Sequence, residues 1–128
     1  MSKHFSEKEL TCRCGCGDVG MDETFMALLK RIRIAYGRPM NLSSAKRCKA
    51  HNKAEGGGEL SAHLEGRAVD VYVMGADAMA LVNVALYCGA TGLGIDQRGD
   101  HRFIHIDNAQ PVIDGGNVLR PRPWLWSY

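Results

Sequence analysis

The chain has 128 residues, 45% of them hydrophobic and 23% charged, ordinary globular usage that excludes a disordered or collagen-like polymer and fits one domain spanning 1–128. Sixteen Lys and Arg against fourteen Asp and Glu leave a formal charge of +2, too small a surplus to make nucleic acid the expected partner. No apolar run reaches the ~18–20 residues of a membrane span, and Met1-Ser2-Lys3-His4-Phe5-Ser6 runs straight into charged residues, so neither membrane insertion nor a signal-peptide core is expected.

Ser6-Glu7-Lys8-Glu9 fits a capping box and opens a short helix that Gly15, Gly17 and Gly20 interrupt. Asp22 reads as the N-cap of a longer helix. Phe25, Leu28, Leu29, Ile32 and Tyr36 fall on one of its faces, and Gly37 with Pro39 ends it. Met40 to Ser44 reads as a short strand, and Lys46 to Ala54 as a turn or short helix running into Gly56-Gly57-Gly58. Arg67 to Val73 alternates, with Val69, Val71 and Val73 on one face and Ala68, Asp70 and Tyr72 on the other. Ala76 to Cys88 reads as an amphipathic helix with Leu81, Val82, Ala85 and Leu86 facing a core, stopped by Gly89. Arg102 to Asp107 alternates again: Ile104 and Ile106 against Phe103, His105 and Asp107. The tail Arg120-Pro121-Arg122-Pro123-Trp124 is too proline-rich for a helix or a central strand. The order predicts an α+β fold, a small and largely antiparallel sheet packed against two or three helices.

Five cysteines occur, at 12, 14, 16, 48 and 88. The odd count argues against a complete disulfide framework. The run Cys12-x-Cys14-Gly15-Cys16 is compatible with a structural zinc site completed by Cys48, with a disulfide involving Cys48, or with plain buried thiols. Nothing marks a catalytic thiol.

Because the valine and isoleucine faces of both strands must be the core faces, Asp70 and His105 point the other way, toward a cleft. His63 lies seven residues before Asp70, across a turn that Gly66 lets fold back. Singly, His63 also reads as a cap, Asp70 as a solvated carboxylate and His105 as a half-buried imidazole. Together, two imidazoles and one carboxylate form a donor set for a catalytic zinc with a fourth position left open. No H-E-x-x-H helix is present.

Ser61-Ala62-His63-Leu64-Glu65-Gly66-Arg67-Ala68-Val69-Asp70 resembles the S-x-H-x-x-G-x-A-x-D signature of the LAS zinc peptidases, the D-alanyl-D-alanine carboxypeptidases and L-alanyl-D-glutamate endopeptidases of peptidoglycan. Phe103-Ile104-His105-Ile106-Asp107 is similar to their second signature strand. Ser43-Ser44-Ala45-Lys46-Arg47-Cys48 with His51-Asn52, the opening from Phe5 to Cys16 and the Arg- and Pro-rich ending resemble one small branch of them, so the likeness runs along nearly the whole chain. The resemblance implies His63, Asp70 and His105 as zinc ligands, Arg47 as the guanidinium that grips substrate or polarises its carbonyl, and Ser61 as a substrate-side residue. It implies zinc-dependent hydrolysis of stem or cross-link peptides. A monomer is expected and, with no signal-peptide core, one made in the cytoplasm that reaches the wall by release or assisted export, as a phage lysis or tail protein or a secretion-associated hydrolase would. The alternative is a non-catalytic zinc-containing binding module of the same fold.

The chain departs from the pattern in two places. Ala45 stands where Gly is usual. Arg102 and Phe103 stand where relatives carry the acid or histidine that takes the proton of the attacking water. Alternation puts Asp107 on His105's face, as the base or as a group orienting a ligand imidazole. Asp96, Asp100 and His101 in the preceding loop are the other candidates for the base.

Overall fold

Two alternating strands lie side by side in the sheet, with Val69, Val71, Ile104 and Ile106 on one shared face. The structure is a computed structural model that describes residues 4–128; Met1-Ser2-Lys3, part of the leader reading, lie outside the described residues. Its elements run α1 (Glu7–Leu10), α2 (Glu23–Tyr36), β1 (Asn41–Ser44), α3 (Lys49–Ala54), a 3-10 turn (Ala62–Glu65), β2 (Ala68–Tyr72), α4 (Gly75–Cys88), β3 (Gly92–Asp96), β4 (Phe103–Asp107), β5 (Val112–Asp114), β6 (Asn117–Arg120) and β7 (Trp124–Ser127). Five strands form one sheet in the order β1-β2-β4-β3-β7, and β5 and β6 form a separate hairpin. Every pair in the large sheet is antiparallel except β3 with β7. The fold is α+β.

Val69, Val71, Leu93, Ile104 and Ile106 form the buried face of the sheet, against Phe25, Leu28, Leu29 and Ile32 of α2 and Leu81 and Ala85 of α4. Each such side chain contributes about 1.5–3 kcal/mol when fully buried. Local chemistry sets the ends of the helices. Ser6 Oγ accepts from the Glu9 N–H at 3.2 Å while Glu9 Oε1 accepts from the Ser6 N–H at 3.1 Å. Asp22 accepts from the Phe25 N–H at 2.9 Å, and Gly37 closes α2 at φ 73°. No helix among the described residues is long and apolar enough to cross a membrane.

The structure departs from the reading at α4, at β3 and β7, and at the unforeseen hairpin β5–β6. Leu86, expected in the core, is 58% exposed. Since α4 also exposes Met79 and Tyr87, its sequence is apolar on nearly every side and its periodicity does not choose a face. The strand β3 was not foreseen, because two of its five residues are glycine, which weakens a strand signal. The tail holds an unforeseen strand, β7, which lies at the sheet edge where the prolines before it do no harm.

Candidate metal centre and cleft

The register of the sheet lays a row of residues across its second face: Ser44, Asp70, His105, Gly94 and Trp126, on β1, β2, β4, β3 and β7 in turn. His63 joins them from the 3-10 turn. That turn ends at Gly66, whose φ of +68° and contact with the Gly20 carbonyl leave no space for a side chain. Asp70 Oδ1 stands 3.2 Å from His63 Nε2 and 3.0 Å from His105 Nδ1, and all three residues are buried.

The outer nitrogens of both imidazoles are anchored. His63 Nδ1 lies 2.6 Å from the Ala45 carbonyl, which can only accept, so this nitrogen carries the proton. His105 Nε2 lies 2.7 Å from Asp107 Oδ2 and donates to it. In the neutral rings, the remaining nitrogens then direct lone pairs at one carboxylate oxygen. Acceptors converging in this way repel unless a proton or a cation lies between them. Electrostatics states the same demand for positive charge. Burial pulls the pKa of His105 down, yet its hydrogen bonds to Asp107 and Asp70 outweigh that and raise it. For Asp70, burial would raise the pKa, but positive charge placed on His63 and His105 outweighs it and holds the carboxyl well below the usual range. Burial lowers the pKa of His63 in spite of Asp70, which favours the neutral ring that a metal requires. The three donor atoms lie within 4.8 Å of one another, and a His-His-Asp set with tethered imidazoles fits zinc.

Arg47 sits beside this cluster. Its NH2 donates to Asp70 Oδ2 at 3.2 Å, its Nε to Ser44 Oγ at 3.1 Å and its NH1 to Asn52 Oδ1 at 3.4 Å. The buried Asn52 is itself held by the Gly58 carbonyl at 2.9 Å, and Gly57 leaves the space it fills. Ser61 Oγ accepts from the His63 N–H at 3.3 Å, capping the turn that delivers the histidine.

Asp107 is fully buried, and donors surround its carboxylate. Besides His105, Arg122 donates from Nε to Oδ1 at 3.0 Å and from NH2 to Oδ2 at 2.8 Å, and the Ala109 N–H reaches Oδ1 at 3.1 Å. Burial alone would raise its pKa; the bonds from His105 and Arg122 outweigh this and hold it well below the usual carboxylate range. Asp107 thus meets His105 by a direct hydrogen bond, the arrangement of a group that orients a ligand imidazole. Gly92 faces Asp107 from β3, where an added Cβ would come within 2.3 Å of the carboxylate.

Sequence reasoning missed Arg122 and Trp126. Trp126 covers Gly94, its ring centroid is 4.9 Å from that of His105, and the Arg122 guanidinium lies 5.2 Å from its ring. The only sequence signal for either was the Arg- and Trp-bearing ending, with no local pattern tying it to β4. The cluster opens into a cleft of about 680 Å³ whose lining includes Arg47, Ser61, His63, Asp70 and His105 together with Asp96, His101 and Tyr128. Burial pushes the Tyr128 hydroxyl up to about 12, helped by the charge of Asp70, so it stays a neutral donor. Asp100 is exposed in the loop.

A family model described as Peptidase M15 matches residues 3–107, which contain Arg47, the His63–Asp70 segment and the β4 strand. A search of curated proteins finds no match.

Proposed function

The chain belongs to the peptidase M15 family, and from that premise we propose that this metallopeptidase hydrolyses the stem or cross-link peptides of peptidoglycan with zinc held by His63, Asp70 and His105. The observation that carries the metal assignment is the convergence of two anchored imidazoles on one oxygen of Asp70. Zinc bound there supplies a Lewis acid that polarises a peptide carbonyl and lowers the pKa of water toward ~7.

The chain's own residues do the rest. Arg47, held from three sides, offers a fixed guanidinium to a substrate carboxylate or to charge developing on the scissile carbonyl. Asp107 is a positioning residue: it fixes the tautomer and the plane of His105, and Arg122 keeps it ionised. With Asp107 enclosed, the proton of the attacking water passes to a group at the cleft wall, where Asp96 and His101 stand along with His51 and Glu55. Ser61 contributes by shaping the turn at the cleft rim. The protein would act on the wall from outside the compartment that makes it, as a monomer.

Purified muropeptides incubated with the zinc-loaded protein, with products read by mass spectrometry, test the reading. Fragments that together gain one water identify the peptide bond cut. Intact muropeptides, bound but not cleaved, would instead favour a zinc-containing binding module, which the absence of an acid at the usual base position also suits.

A further inference from the structure

The opening of the chain carries a second constellation, away from the cleft's donor set. Cys12, Cys14 and Cys16 lie on the loop after α1, and Cys48 is the N-cap of α3. Their four sulfurs lie within 4.8 Å of one another. Cys12 Sγ is 3.4 Å from Cys14 Sγ and 3.8 Å from Cys48 Sγ, and Cys14 and Cys48 are 3.6 Å apart. Thiolates bound to one zinc at ~2.3 Å stand about 3.8 Å from each other at tetrahedral angles. A disulfide would need only two sulfurs brought together; here a third and a fourth join them.

Two further features suit thiolates. Backbone donors point at the sulfurs: the Cys48 N–H to Cys12 Sγ and the His51 N–H to Cys48 Sγ, each at 3.4 Å. The loop also turns at Gly15 and Gly17, with φ values of 87° and 85°, and its three cysteines in five residues bring their sulfurs together although Cys14 and Cys16 are exposed. We propose that Cys12, Cys14, Cys16 and Cys48 bind one structural zinc ion, which fastens the opening loop to the segment carrying Arg47. That segment is already held to its neighbours by main-chain bonds from Lys46 to Leu10 and from Arg47 to His63. Four protein ligands close the site to substrate, so its role is to hold Arg47 in register. The proposal does not depend on the peptidase reading.

Metal counting on the intact chain, purified under reducing conditions, tests it. About two equivalents of zinc per chain are expected, with Cys48→Ser losing one and His63→Ala losing the other. Zinc that survives in His63→Ala and is lost from Cys48→Ser belongs to the cysteines, whatever the cleft does. Zinc content unchanged by Cys48→Ser overturns the proposal. Should that variant not fold, cobalt substituted into the wild-type chain decides: intense tetrahedral bands with thiolate charge transfer are expected. Their absence, or an intact mass showing hydrogens lost to a disulfide among these cysteines, overturns it.

Discussion

The two faces of the large sheet are built by the same strands and obey opposite rules. On one face Val69, Val71, Ile104 and Ile106 pack against α2 and α4 with no polar atom to satisfy. On the other, one residue along each strand, Asp70, His105 and Asp107 are also buried, yet each is charged or polar and each is engaged by named partners. The apolar face makes its contribution by area, and a lost methylene costs stability. The polar face makes its contribution by geometry: its buried groups are costly to desolvate and are tolerated because they satisfy one another. The fold's stability and the site's chemistry are thus carried by alternate residues of the same two strands, and substitutions should separate them.

The largest separation is expected on the apolar side. Ile106→Ala removes a fully buried side chain and should cost about 2–5 kcal/mol by chemical denaturation. The folded fraction should keep its zinc and its turnover. Loss of zinc affinity in step with stability would show that the two faces are not separable.

Arg47→Lys lies on the polar side and should do the reverse. A point charge cannot reproduce three donors held by Ser44, Asn52 and Asp70. The value of kcat/KM should fall by about 10²–10³, the cost of removing one such donor, with little change in Tm. Equal turnover would remove Arg47 from the chemistry.

Asp107→Asn should have a smaller effect, because it weakens the hold on His105 without removing a ligand. Zinc affinity and activity should drop together by about 10–100-fold. A fall in hydrolysis with zinc affinity intact would instead make Asp107 the base, and would require it to leave Arg122 during turnover.

How much of this was legible in the sequence follows from which interactions are local. Helix α2 was readable from Asp22 to Gly37 because its cap, its stripe and its stop are all written within the segment. Strands β2 and β4 were readable from period-2 alternation, and with them the facing of Asp70 and His105. Strand β3 was not, because Gly92 and Gly94 are there for their neighbours: one makes space for Asp107 and the other for Trp126. The environment of Asp107 was hidden for the same reason. Alternation gives its face but not that Arg122, fifteen residues on, folds back to enclose it. Spacing left a four-cysteine site as one of three readings, and only the placement of the opening loop against α3 brings Cys48 to the other three.

The central claim is that His63, Asp70 and His105 hold the zinc with which the protein cuts muropeptides. It is tested most directly by measuring zinc content and muropeptide cleavage side by side in the wild type and in the His63→Ala, Asp70→Ala double variant. The account predicts that the variant binds about one equivalent less zinc than the wild type and releases no cleavage products. A variant with the same zinc content that still cleaves muropeptides would contradict it.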